Sequence, residues 1–152
     1  MRALVVALAV LVGSSLACGY IPAELYRLTV EAAARHNLPP DMLAALVWVE
    51  SRYCPNARGK DGEVGLGQVL PSTARGLGID PQKLWDPRLN LETSARYLAI
   101  QYRRFGRWEL ALAAYNAGPG RAYEPPRSTR QYVINVLYVY KHLKKRRMVA
   151  TK

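Results

Sequence analysis

The chain has 152 residues, half of them hydrophobic, and 22 basic against 11 acidic side chains for a formal charge of +11. That length suits one domain with a real core and not comfortably two, and the apolar fraction excludes a disordered tail. So basic a balance suits a polyanionic partner. There is no metal-ligand cluster, phosphate loop or dinucleotide fingerprint, so no metal and no other cofactor is expected.

Met1-Arg2 precedes an unbroken apolar run from Ala3 to Val12, then Gly13-Ser14-Ser15-Leu16-Ala17. A charged start, a short apolar stretch and a small-x-small exit predict a signal peptide over residues 1–17 and a mature domain over 18–152. The run is too short to span a bilayer as a stable helix. Export places the protein in the periplasm or cell envelope, or outside the cell. It also makes the anionic envelope a better partner than nucleic acid. Cleavage after Ala17 would leave Cys18 first. Ser15 and Leu16 stand in the wrong order for a lipobox, so lipidation is the second choice. An exported chain with an even cysteine count favours a Cys18–Cys54 disulfide.

The mature chain reads as mainly α, with little or no strand. Pro22 opens a helix to Asn37, with Leu25, Leu28 and Ala32 at helical spacing. After Pro39-Pro40 a second helix, from about Asp41 to Ser51, is apolar nearly all round and so is expected to be buried. Tyr53 to Gly67 is a loop or small hairpin turning near Asp61-Gly62. Pro71 starts a short helix that stops by Gly76–Gly78. Asp80 to Pro87 is a loop with Trp85 as its anchor. Asn90 caps a long helix ended by Gly106. Trp108 to Asn116 is a further helix, stopped by Gly118-Pro119. Ser128 and Gln131 form a capping box for the last helix, which reaches about Arg147. Its end, Lys141 to Arg147, is the densest basic patch. A monomer is expected.

Glu50 ends the apolar second helix. Burial there disfavours the charged carboxylate, and the negative end of the helix dipole pushes the same way. A carboxylic acid still protonated near neutral pH is what glycosidic cleavage needs as a general acid. In Gly65-Leu66-Gly67-Gln68 the glycines allow close backbone approach to a ligand, and Gln68 offers both donor and acceptor to an acetamido group. Tyr115 can stack on a sugar, and Asn116 can face a cleft.

Three motifs carry a family resemblance. Glu50-Ser51-Arg52-Tyr53-Cys54-Pro55-Asn56-Ala57 is similar to the Glu-Ser-x-aromatic-x-Pro-x-Ala signature of the soluble-type lytic transglycosylases. Gly65-Leu66-Gly67-Gln68 resembles their Gly-Leu-Met-Gln, with Gly67 in the methionine's place. Ala114-Tyr115-Asn116-Ala117-Gly118-Pro119 matches the third motif throughout. Ser128-Thr129-Arg130-Gln131-Tyr132-Val133 resembles the entry to the last helix, with Ser128 replacing a glutamate. The resemblance covers about Pro22 to Tyr140.

It implies a lysozyme-like α+β domain acting on peptidoglycan glycan strands. The β-1,4 bond between N-acetylmuramic acid and N-acetylglucosamine would be cut to a 1,6-anhydromuramoyl end. Glu50 would serve alone, acid first and base second. Ser51, Gln68, Tyr115, Asn116 and Tyr132 would contact substrate. Two alternatives stand beside this. Asp61 or Glu63 could supply a second carboxylate, as in the goose-type lysozymes, and the reaction would then be hydrolysis. Or the scaffold could be a non-catalytic glycan-binding or secretion-assembly protein.

Overall fold

The computed structural model describes residues 18–150, with side chains to residue 146. The expected signal peptide, residues 1–17, lies outside the described residues. Six α-helices and two 3₁₀ turns make up the regular structure there.

Helix α2 (Pro40–Ser51) is the centre of the domain. Pro40 seats its first turn, where a missing N–H costs nothing. Every residue from Met42 to Val47 is fully buried. At about 1.5–3 kcal/mol for each large apolar side chain removed from water, packing rather than helix propensity holds it. Helix α1 (Ala23–Arg35) lies against α2 and α4 through Leu28, Ala32 and Ala33. Helix α6 (Arg127–Ala150) covers another side of α2 through Val133 and Val136. Helices α4 (Pro87–Phe105) and α5 (Trp108–Ala117) pack on each other and close the core with Leu91, Leu98 and Leu112. The short α3 (Pro71–Gly76) belongs to a smaller cluster of Val64, Val69, Ala74 and Leu84.

The fold is mainly α, as expected. Between α2 and α3 the chain forms isolated antiparallel bridges, Arg58 with Val64 and Val64 with Val69, and no named strand is present among the described residues. Cys18 is joined to Cys54, and the Gly19 N–H donates to the Arg52 carbonyl at 3.0 Å. The segment before α1 is thereby fastened to the turn after α2.

Three local expectations need correction. Asn90 does not cap α4. The helix starts at Pro87, and Asp86 is the cap, its carboxylate accepting from the Leu89 N–H at 2.7 Å. Trp85 is not an anchor: it is 38% exposed, while Leu84 beside it is fully buried. Pro81–Trp85 is a 3₁₀ turn capped by Asp80, and its tighter winding turns Leu84 inward. Ser128 does not cap α6, which has already begun at Arg127 with Pro126 before it. Gln131 donates instead to Asn135 Oδ1, one turn on.

Candidate active site

A cleft opens between the C-terminal end of α2 and the loop that follows. Glu50, Glu63, Gln68, Val69, Leu70, Thr73, Tyr97, Tyr115 and Asn116 line it.

Its first wall is helical. After Ser51 the backbone enters the left-handed region at two successive residues, Arg52 (φ 55°) and Tyr53 (φ 59°). Neither is glycine, so the turn is unfavourable by itself. Tyr53 holds it: the ring is fully buried and its hydroxyl lies 3.1 Å from Thr29 Oγ1 on α1. The reversal sends the loop back across the end of α2, where Glu50 stands.

The second wall is loop, held by side chains that bond its backbone. Asn90 is the principal one. Its Oδ1 accepts from the Gly67 N–H at 2.8 Å, and its Nδ2 donates to the carbonyls of Val64 (2.8 Å) and Leu84 (2.9 Å). The Ser51 hydroxyl donates to the Leu66 carbonyl at 2.7 Å, and the Tyr115 hydroxyl to the Gly67 carbonyl at 2.8 Å. So dense a set of bonds leaves no room at position 67. A Cβ there would lie 1.9 Å from Ser94 Oγ and 3.0 Å from the Tyr115 hydroxyl. Gly67 is therefore required by its neighbours, and the apolar arm that the resembled motif carries at this position is absent.

Glu50 is the carboxyl of altered acidity in the cleft. Burial raises its carboxyl from the ordinary 4.5 to about 7. Tyr132 opposes part of that shift by hydrogen bonding to the ionised form, and the negative charge of Glu63 adds to it. Yet the buried Tyr132 hydroxyl makes no hydrogen bond of normal geometry. The two groups face each other with the bond not fully formed. Burial, and then the Glu50 charge, also raise the hydroxyls of Tyr115 and Tyr132, so both stay protonated.

Glu50, Gln68, Tyr115 and Asn116 meet in the cleft, with Tyr132 against Glu50. Ser51 does not join them: it is buried, and its hydroxyl is committed to loop and helix carbonyls, which makes it a tie between the walls. Gln68 offers less than expected. Its Nε2 donates to the Ala57 and Gly65 carbonyls, at 3.1 and 2.9 Å. With two carbonyls as neighbours the amide nitrogen must face them, so only the side-chain oxygen remains for a ligand. Asn116 is exposed, and its Oδ1 accepts from Thr129 Oγ1 at 2.7 Å, leaving the amide N–H₂ to the cleft.

The loop carboxylates separate. Asp61 is exposed and outside the cleft lining, whereas Glu63 is half-buried and lines it. The Asp61 N–H donates to Glu63 Oε2 at 3.0 Å. Sequence reasoning missed Asn90 as a loop holder, Ser94 as the reason for Gly67, and Tyr97, whose ring stacks obliquely on Tyr115 with centroids 5.3 Å apart. One signal was available: Asn90, Ser94 and Tyr97 recur at helical spacing on one face of α4.

The Transglycosylase SLT domain family matches residues 27–137. X polypeptide of Escherichia coli is 36% identical over 123 residues, covering 74% of this chain and 72% of that protein. Peptidoglycan transglycosylase gp16 of Escherichia phage T7 is 34% identical over 112 residues, or 69% of this chain and 8% of its own. Lytic transglycosylase Slt of Pseudomonas aeruginosa, solved as an inactive mutant, superposes with a TM-score of 0.71 at 32% identity, over 82% of this chain and 24% of its own. The chain thus spans about a quarter of that solved relative. A family match over most of its length, and a relative aligned along most of both chains, establish that this chain belongs to the Transglycosylase SLT domain family.

Proposed function

We propose that the chain is a peptidoglycan lytic transglycosylase in which Glu50 acts alone as acid and then base. The observation that carries this is the Glu50 carboxyl itself, raised to about 7 by burial inside a cleft rich in hydrogen-bonding groups. Protonated, it delivers its proton to the glycosidic oxygen as the bond to C1 of the muramoyl residue breaks. The carboxylate so formed takes the proton of that sugar's 6-hydroxyl as its oxygen bonds to C1. A 1,6-anhydro ring closes, no water is consumed, and Glu50 is protonated again. The Gln68 oxygen and the Asn116 amide are suited to an acetamido group, one accepting and the other donating. The relatives' names support the substrate: one is a peptidoglycan transglycosylase, another a lytic transglycosylase.

A second reading rests on Glu63, which lines the same cleft. As a base it would activate water and leave a reducing end. Mass spectrometry of muropeptides from digested sacculi decides. Products at the anhydro mass are expected; products heavier by one water would replace the transglycosylase reading with a hydrolase.

Export completes the proposal. Residues 1–17 serve as a signal peptide, and the envelope is the site of action. The Cys18–Cys54 bridge forms after transfer to an oxidising compartment.

A further inference from the structure

A second groove, about 560 Å³, lies on the far side of α2 and α6 from the cleft. Trp48 lines it while Glu50 lines the cleft, and residues two apart on a helix point about 200° apart. On α6, likewise, Tyr132 faces Glu50 and Tyr138 lines the groove. Tyr20, Ile21, Val139 and Leu143 complete an apolar floor. Tyr20 and Tyr138 are 56% and 64% exposed, and neighbouring Ile134 is 59% exposed.

The rim is cationic. Arg146 borders the groove, with Lys141, Lys144 and Lys145 exposed on the same helix. Arg52 stands over the Trp48 ring at 5.0 Å. From Arg127 to Arg146, α6 carries no acidic residue.

We propose that this face docks on the surface of an anionic lipid bilayer. Tyr20 and Tyr138 would enter the interfacial layer, where aromatic rings with a polar tip are favoured. Arg52, Lys145 and Arg146 would meet the headgroups. Charge complementarity selects an anionic partner, and the exposed aromatic floor selects a bilayer over a soluble polyanion, which would leave that floor wet. Docking would leave the cleft facing away from the membrane. The inference stands apart from the catalytic reading, since none of these residues lies in the cleft.

The test is co-sedimentation of the mature chain, residues 18–152, with vesicles of phosphatidylglycerol and phosphatidylethanolamine, or of phosphatidylcholine alone, at low and high salt. Preferential binding to the anionic vesicles, weakened by salt, is expected. Lys145→Glu/Arg146→Glu should lower that partition by about 25-fold or more, at roughly fivefold per charge. Tyr20→Ser/Tyr138→Ser should lower it about tenfold with Tm unchanged, since both side chains are exposed. Three results would overturn the proposal. One is equal binding to the two lipids, unaffected by either variant. Another is sensitivity to the charge variant alone, which leaves simple polyanion attraction. The third is a dimer in sedimentation velocity that the tyrosine variant dissociates, which assigns the face to a second copy.

Discussion

The two walls of the cleft are built by different means. Glu50 stands on a helix whose neighbours are locked by apolar packing, whereas the facing loop has little core of its own. Single side chains from α2, α4 and α5 hold its backbone by hydrogen bonds. Packing is spread over many contacts and degrades gradually. A polar network concentrates its stability in a few groups, and losing one strands several partners.

The sharpest contrast comes from Glu50→Gln. It keeps the packing and removes the proton, so activity on sacculi should fall about 10²–10⁴-fold or more. Stability should move the other way. The folded pKa of Glu50 lies above its unfolded value, so its protonated form supports the fold below about pH 4.5, and that support is lost as pH rises through about 7. The variant should therefore be more stable than wild type at pH 8, by on the order of 2–3 kcal/mol, and no more stable at pH 4. Thermal melts across that range check the sign. A variant less stable at pH 8 would mean that Glu50 is not a strained acid.

Asn90→Ala attacks the other wall. It strands the Gly67 N–H and two carbonyls, at about 1–3 kcal/mol for each group left buried and unpaired. Here stability and activity should fall together, by roughly 3 kcal/mol and up to about 10²-fold. A variant that melts normally would show that the loop does not depend on α4.

The smallest effect is expected from Glu63→Gln. Its negative charge helps hold the Glu50 acidity low, so removal should lower the Glu50 pKa. The alkaline limb of the pH–rate profile, where the acid loses its proton, should shift to lower pH. Turnover at the optimum should change by less than about tenfold; a loss of about 10²–10⁴-fold would mark Glu63 as a base.

The same contrast explains what could be read from the chain. The helices and Glu50 were legible because apolar spacing and short motifs report on packing and local chemistry. Asn90 reads as a cap because an asparagine near a helix start is ambiguous. Asp86, four residues earlier and just ahead of Pro87, carries the better start signal. Ser128 and Gln131 matched the spacing of a capping box, but Pro126 begins the helix too early for it. Ser51 and Gln68 lie in the right motifs with their donor groups turned inward, because carbonyls elsewhere in the loop, Leu66 for Ser51 and Ala57 for Gln68, claim them. Such long-range pairings leave no trace in local pattern.

Gly67 and Ser94 show what this network means for the history of the chain. The serine hydroxyl fills the space that any side chain at position 67 would enter. A larger residue at 67 can be accepted only in one order: position 94 must first shrink, for instance to glycine, and position 67 can then grow as the Tyr115 hydroxyl, 3.0 Å from a Cβ there, gives way. The opposite order passes through a clash between two walls of a working cleft. The change at 67 is thus barred until the change at 94 has been made, and the two positions are free to vary only as a pair.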